Sequence, residues 1–128
     1  MKAKLYRIIL PVKDIDKAEN FYSRVFGAKG IRVSPGRHYF NLNGVILACY
    51  DPEADGDNLS EWNFHENQYI YIAVADLEKT RSIMKELDCY SLGEIETMPW
   101  GETLFYANDP FGNPICFVDE ETVFKGNE

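Results

Sequence analysis

The chain has 128 residues, of which 45% are hydrophobic and 14% aromatic, and its 13 basic and 21 acidic residues give a formal net charge of −8. This length fits one domain, and this composition supplies a buried core and excludes intrinsic disorder. The acidic balance, without a basic patch, argues against a nucleic-acid partner, because binding a phosphate backbone requires clustered Lys and Arg. We therefore expect a soluble globular protein that does not bind nucleic acid.

The three cysteines, Cys49, Cys89 and Cys116, are widely spaced and form no CxxC pair. Neither a disulfide framework nor a zinc site is indicated, and reduced thiols fit a cytoplasmic setting. The N-terminal residues lack the apolar region of a signal peptide, and no apolar run approaches transmembrane length. The sequence predicts a cytoplasmic protein with no membrane partner.

The first half of the chain predicts a strand, a helix and three further strands. Residues 6–12 are rich in β-branched and aromatic residues, which favours a strand. Asp14 is a good N-cap for an amphipathic helix over about residues 15–26, which Gly27 would end. The remaining predicted strands cover residues 30–34, 37–42 and 45–50, joined by turns at Pro35-Gly36 and Asn43-Gly44.

The phrase that ends the first strand and opens the helix occurs twice, at residues 12–18 and 74–80. Each copy follows an apolar strand and precedes an amphipathic helix, so the second half repeats the order of the first. The predicted elements of that half are a strand over 69–74, a helix from Asp76 to about Leu87, and strands near 92–96, 102–107 and 114–118. Such a duplication predicts two half-domains related by a pseudo-two-fold axis.

We therefore expect a single domain over residues 1–128, of the α+β class. Its two tandem βαβββ modules would form a curved mixed sheet with the helices on the convex side. Trp62 and Phe64 are too apolar for a solvated linker, and we expect them to contact the sheet or a partner subunit. The predicted parts are a first module over about 4–52, a polar connection over about 53–67, a second module over about 68–121 and a charged, fraying tail over 122–128.

Several short motifs occur in a characteristic order along the chain. The first half has Val-x-Asp at residues 12–14 and Phe-Tyr at 21–22, and the second has Trp-Gly at 100–101 and Asp-Pro-Phe-Gly-Asn at 109–113. This set resembles the vicinal-oxygen-chelate superfamily, which contains glyoxalase I, bleomycin resistance proteins and extradiol dioxygenases. The resemblance covers nearly the whole chain, is closest in character to the metal-free bleomycin-resistance-like branch, and implies that superfamily's fold and a homodimer.

The resemblance also implies one metal-ligand position on each of four strands. Counting from the shared motifs places these positions at Arg7, Ala48, Tyr69 and Cys116. Arginine stays protonated and alanine has no donor atom, while Tyr and Cys alone make a poor metal site. We therefore expect no metal and no cofactor. Two histidines lie outside these positions and are expected at the surface or in a hairpin: His38 and His65.

If Arg7 and Tyr69 face the side opposite the helices, as the resemblance implies, strand alternation predicts an apolar and aromatic site there with one positive charge. Such a composition fits a small-molecule pocket. Arg7 would pair with an anionic group or stack on a planar ring, or would instead be satisfied by a carboxylate at a subunit interface. The predicted ligand-binding residues are Arg7, Ile9, Ala48, Tyr50, Tyr69, Tyr71, Trp100 and Cys116.

These features favour a metal-free protein that binds or sequesters an aromatic or anionic small molecule in the cleft of a homodimer. The alternative is an enzyme of the same superfamily, a lyase or dioxygenase with a non-standard metal site, or a metal-free enzyme that uses Arg7 and Cys116. No catalytic residue is assigned, because no histidine is placed beside Cys116 and a buried cysteine is usually a small apolar residue. A third interpretation is a structural or regulatory dimer without a ligand.

Overall fold

The computed structural model describes residues 2–58, 65 and 67–125. The chain divides into two compact units, Met1–Phe64 and His65–Glu128, and each contains one of the two predicted modules. The class is α+β, as predicted. Trp62 and Phe64, which were expected to contact the sheet or a partner, lie outside the described residues. Among the residues that are described, neither α-helix is long and apolar enough to cross a membrane.

The first module is a four-stranded mixed sheet with one helix. Its strands lie in the order β1-β4-β3-β2, with β1 parallel to β4 and the other pairs antiparallel. The helix and strands β3 and β4 begin and end at the predicted residues. The elements are β1 (Arg7–Pro11), α1 (Ile15–Phe26), β2 (Ile31–Ser34), β3 (Arg37–Leu42) and β4 (Val45–Tyr50).

Helix α1 has the ends that its sequence predicts. The Asp14 carboxylate accepts a hydrogen bond from the Lys17 backbone N–H at 3.1 Å, which satisfies one of the unpaired donors of the first turn. Gly27 closes the helix in the left-handed conformation, with φ of 65°. The buried stripe of α1 places Tyr22 and Phe26 against Phe40 of β3, with ring centroids 6.3 and 5.4 Å apart. The helix therefore covers the sheet face that carries Phe40.

The second module repeats this order with a more irregular sheet. Its strands lie in the order β5-β9-β8-β6, with β7 also paired to β8, and β5 runs parallel to β9. Helix α2 packs against β9. The elements are β5 (Ile70–Val74), α2 (Leu77–Glu86), β6 (Ser91–Leu92), β7 (Glu96–Thr97), β8 (Thr103–Asn108) and β9 (Pro114–Asp119), followed by a short 3-10 helix over Glu120–Thr122.

The prediction of one strand over residues 92–96 is wrong, because two short strands, β6 and β7, replace it. Between them the Gly93 N–H donates to the Tyr106 carbonyl oxygen at 2.7 Å, and a Cβ on Gly93 would lie 2.9 Å from that oxygen. Glycine therefore permits a close backbone approach at the break between the strands.

The segment after β9 is more ordered than predicted. Asp119 accepts a hydrogen bond from the Glu121 N–H at 3.0 Å, which caps the 3-10 helix, and Thr122 Oγ1 accepts one from the Thr103 N–H at 3.0 Å. Val123 packs against a buried cluster of Leu104, Cys116 and Val118. The fraying predicted from residue 122 is therefore wrong for Thr122 and Val123, because a side-chain hydrogen bond and an apolar contact hold them.

Candidate ligand-binding faces

Most of the predicted site residues lie on the face of each sheet opposite its helix, called here the distal face. Because side chains alternate along a strand, the burial of Phe40 under α1 places Tyr39 on the distal face of the first module. The strand register gives one row across each distal face. The row of the first module is Ile9, Ala48, Tyr39 and Ile31, and that of the second is Tyr71, Cys116 and Tyr106.

Arg7 is the positive charge of the first distal face, as the sequence predicts. Its side chain is exposed, and its Nη1 donates a hydrogen bond to the Tyr39 hydroxyl at 2.8 Å. The guanidinium carbon lies 5.0 Å from the centre of the Tyr6 ring and 5.5 Å from that of Tyr39. Within the described part of the chain, no carboxylate lies at ion-pairing distance from it. Neutral aromatic groups therefore orient this cation without neutralising it.

Unlike Arg7, three arginines of the described residues are neutralised: Arg32, Arg37 and Arg81. Their side chains lie beside carboxylates in both modules and contribute to local ion pairs. These pairs are Arg32 with Asp16 and Glu19 at 3.0 and 2.6 Å, Arg37 with Asp55, and Arg81 with Glu94 at 3.4 Å.

Two predicted contact residues of the first module are buried, which corrects the prediction. Ala48 is 2% exposed because its short side chain lies in the row between Ile9 and Tyr39. Tyr50 is 7% exposed, and its hydroxyl donates to the Asp57 carboxylate while the Arg37 guanidinium stacks 4.3 Å above its ring. The bond to Asp57, followed by burial, raises the pKa of Tyr50. By contrast, Ile9 is half-exposed and remains available to a ligand.

The distal face of the second module is an aromatic surface. Tyr69 and Tyr71 pack edge-to-face against Tyr106, with ring centroids 5.2 and 6.5 Å away. The Tyr106 hydroxyl is hydrogen-bonded to Tyr71, and this bond, with a further contribution from burial, raises the pKa of Tyr106. Tyr71 is 53% exposed, so this cluster presents ring surface and hydroxyl groups to the surroundings.

Cys116 lies beneath this surface and does not form part of it, contrary to the prediction. It is fully buried because its small side chain pairs with Tyr71 on one side and Tyr106 on the other. Burial, and to a lesser extent the charge of Glu102, raises its pKa to about 12. At neutral pH the sulfur is therefore a protonated thiol without access to a substrate, which removes the nucleophile of the predicted Arg7/Cys116 enzyme.

Trp100 is exposed in the turn that precedes β8. Its indole Nε1–H donates to Glu102 Oε1 at 2.8 Å. The turn is closed by a backbone hydrogen bond from the Met98 N–H to the Glu102 carbonyl oxygen, at 2.8 Å. The structure thus orients the ring but leaves 63% of the residue exposed.

The four positions where the resemblance implies metal ligands do not fit a metal. Arg7 is a cation, Ala48 has no donor atom, and the thiol of Cys116 is buried with a raised pKa, which leaves the phenol of Tyr69. Over residues 2–58, 65 and 67–125, no group of three or more His, Cys, Asp or Glu side chains is arranged to hold an ion. No metal-dependent step can be derived from these residues.

The two histidines differ in environment. His65 is exposed, whereas His38 lies in the β2–β3 hairpin, as predicted, but is buried against the helix. Its Nε2 lies 2.7 Å from the Lys29 carbonyl oxygen and its Nδ1 is 3.3 Å from Arg32 Nε. These backbone and side-chain partners explain how a polar ring is accommodated there.

Sequence reasoning missed Tyr39 and Tyr106, which are central to the two distal faces. Alternation along the first and last strands of each module does not reach Tyr39, which lies on β3, or Tyr106, which lies on β8. Alternation over residues 37–42 gives only the face of Tyr39, and the register that pairs it with Ala48 and brings it near Arg7 is a property of the folded sheet. The hydroxyl contact itself has no signal in the sequence.

The fold and these motifs agree with the comparisons. Residues 4–117 match the model of the Glyoxalase/Bleomycin resistance protein/Dioxygenase superfamily, and the chain belongs to this superfamily. A search of curated protein sequences gives no significant match.

Solved structures with a similar fold have low sequence identity. A glyoxalase/bleomycin resistance protein/dioxygenase family enzyme from Burkholderia phytofirmans PsJN gives a TM-score of 0.75 at 16% identity, over 91% of this chain and 98% of that one. A lactoylglutathione lyase from Agrobacterium tumefaciens gives 0.71 at 20% identity, over 94% and 96%. At these identities the likeness concerns the fold alone.

Proposed function

We propose that this chain is a metal-free small-molecule-binding protein that binds the anionic group of an organic compound through Arg7. The observation that carries the proposal is the state of this guanidinium, which is exposed and held by Tyr39 and Tyr6 without a carboxylate partner among the described residues. A fixed cation without a carboxylate partner favours an anion at that point. Arginine suits carboxylate and phosphate groups because its donors form a planar fork.

The second distal face supports the proposal that aromatic compounds are among the ligands. Exposed tyrosine rings stack on planar compounds, and their hydroxyl groups provide hydrogen bonds. Tyr69 and Tyr71 offer both, and their packing against Tyr106 holds them in place. This face therefore favours aromatic compounds, whereas the first favours anions.

Within the described residues, no observation favours the enzymatic alternative. Nucleophilic catalysis would need an accessible thiolate, and Cys116 provides neither access nor charge. A lyase or dioxygenase of the metal-dependent type would need donor atoms that Arg7 and Ala48 do not supply.

We propose a cytoplasmic homodimer. All three cysteines are thiols, which fits a reducing compartment. Val33 exposes an apolar side chain on β2, an edge strand of the first sheet, and such edges are commonly covered by a partner. Sedimentation velocity at micromolar concentration is expected to show a species of twice the chain mass. A monomer under these conditions would contradict the homodimer.

The binding proposal is tested by a thermal-shift panel of aromatic carboxylates, aliphatic carboxylates and uncharged aromatic compounds. We expect at least one carboxylate to raise the unfolding midpoint of the wild type and not that of Arg7→Met. Arg24→Met is the matched control, because it removes the same charge from the last turn of α1. Stabilisation of both variants to the wild-type extent, or of none of the three proteins, would contradict the proposal.

A further inference from the structure

We infer that Tyr39 is a second ligand-binding residue of the Arg7 site and that the group recognised there is an organic monocarboxylate. This inference rests on the proposed function, which it narrows from anionic compounds to one chemical class. The two residues would bind one carboxylate together, Arg7 by charge and hydrogen bonding and Tyr39 by donation from its hydroxyl group.

The Tyr39 hydroxyl can donate one hydrogen bond in addition to the one that it accepts. Its oxygen accepts from Arg7 Nη1 at 2.8 Å, so its own proton is directed elsewhere. In the described part of the chain, no acceptor for that proton is present. Donation from a cation also polarises the O–H group and makes it a stronger donor. Tyr39 is therefore prepared to donate to an acceptor supplied from outside.

The N–H groups of Arg7 and the hydroxyl group of Tyr39 lie close enough to bind one ligand group. A guanidinium has five N–H groups, and one of those on Arg7 is used by Tyr39. Because Nη1 and the hydroxyl oxygen are 2.8 Å apart, one carboxylate can reach both donors at hydrogen-bonding distance. The rings of Tyr6 and Tyr39 restrict the guanidinium, which lowers the entropy lost when the ligand binds.

The charge of the Arg7–Tyr39 pair distinguishes between a carboxylate and a phosphate. The pair supplies one positive charge and one neutral donor, which matches a monoanion. A phosphate monoester carries a charge of about −1.5 to −2 at pH 7 and would retain an excess negative charge on an already acidic chain. The site therefore favours a carboxylate over a phosphate.

Apolar side chains beside Tyr39 favour a hydrocarbon portion in the ligand. Ile9 and Ile31 lie in the same cross-strand row as Tyr39, and both are exposed. Their side chains provide apolar surface within reach of a group attached to the carboxylate, and burying that surface favours binding. The ligand class is thus a carboxylic acid with a hydrocarbon portion.

The second module provides an internal control for this assignment. Tyr106 occupies the position equivalent to Tyr39, since each pairs with the small buried residue of the last strand. Its hydroxyl is bonded to Tyr71, and the position equivalent to Arg7 is Tyr69. A phenol-to-phenyl substitution at this position should therefore not change the preference for a carboxylate over its uncharged isostere.

The test is calorimetric titration of wild type, Arg7→Met, Tyr39→Phe and Tyr106→Phe with benzoate, its uncharged isostere benzamide, and phenyl phosphate. We expect Tyr39→Phe to weaken benzoate binding by roughly tenfold or more, the usual effect of losing a hydrogen bond to a charged group. Its affinity for benzamide should change by less than about twofold, because the ring remains and the uncharged group gains little from the polarised donor. Tyr106→Phe should leave the ratio of benzoate to benzamide affinity as in the wild type, because its hydroxyl lies on the aromatic face and not beside the cation.

The outcomes separate this inference from the proposed function. If Arg7→Met loses benzoate binding while Tyr39→Phe retains it, the role of Tyr39 is overturned and the proposed function stands. If phenyl phosphate binds the wild type more tightly than benzoate, the carboxylate assignment is overturned. If the wild type binds neither anion, or Arg7→Met binds both unchanged, the inference and the proposed function fail together. Circular dichroism of each variant verifies that it is folded.

Discussion

The two distal faces differ in charge although their strands pair in the same way. In the first module the central tyrosine, Tyr39, is bonded to a cation, whereas in the second its equivalent, Tyr106, is bonded to another phenol. In both modules this tyrosine lies beside a small buried residue, Ala48 or Cys116. Two differences, Arg7 against Tyr69 and Ile9 against Tyr71, therefore change the class of group that each face favours from anionic to aromatic.

The faces that carry the helices show the opposite behaviour, because both are closely packed and apolar. Phe40 is buried under α1, and Phe105 and Phe117 stack 5.3 Å apart in the second module. The distal sides instead combine buried residues, such as Ala48 and Cys116, with exposed ones, such as Ile9 and Tyr71. The exposed distal positions can vary in chemistry with little loss of folding free energy, which explains how one scaffold carries two different surfaces.

The largest effects should come from deleting buried rings. We expect Phe40→Ala and Phe117→Ala each to lower the free energy of unfolding by about 3–5 kcal/mol, because each leaves a cavity in a core. Ile9→Ala, on the distal face and half-exposed, should cost less than about 1 kcal/mol. Urea unfolding measures all three. A cost for Ile9→Ala equal to that of the phenylalanines would contradict the separation of stability from recognition.

Folding stability should depend on pH through Cys116 but not through Ala48, its equivalent in the first distal row. The native state holds the Cys116 thiol protonated, with a pKa of about 12, while the unfolded chain releases the proton nearer the ordinary value. The resulting stability is complete below the unfolded pKa and is lost as pH rises through the range up to about 12. The variant Cys116→Ala makes this row resemble that of Ala48. We expect thermal unfolding to show that Cys116→Ala loses less stability than the wild type between pH 8 and pH 10. This range is set by the ordinary thiol pKa of about 8.5. Equal losses would refute this origin of the effect.

The smallest effects should be the same in both modules. Asp14 and Asp76 each cap a helix, accepting backbone hydrogen bonds at 3.1 and 3.0 Å. Asp14→Ala and Asp76→Ala should each cost about 1 kcal/mol, the usual value for losing an N-cap. Chemical denaturation checks this, with Glu78→Ala as a control for the removal of a first-turn charge. A twofold difference between the two aspartates would show that the duplicated phrase is not energetically equivalent.

The sequence predicted the regular parts of the fold because local signals coincide there. Helix α1 was predicted to the residue since Asp14, an apolar stripe and Gly27 all mark the same segment. The break between β6 and β7 was missed, because it depends on the approach of Gly93 to the Tyr106 carbonyl oxygen, a long-range backbone contact.

The candidate site was predicted in part, for a related reason. The resemblance placed Arg7 on the distal face and alternation extended that face along the strands, but alternation cannot tell whether a residue on the face is covered by its neighbours. Cys116 is hidden by the tyrosines on either side, and Tyr50 is engaged by Asp57. Cross-strand register decides both cases, and register is a property of the folded sheet.

The central claim, that the first distal face binds anions and the second does not, is tested most directly by NMR. The arginine side-chain Nε–H signals report each guanidinium separately, and the signal missing in Arg7→Met identifies that of Arg7. On titration with benzoate, the Arg7 signal is expected to shift and saturate while those of the paired residues Arg32, Arg37 and Arg81 stay in place. An unmoved Arg7 signal accompanied by saturating shifts of the Tyr69 and Tyr71 amides would contradict the claim.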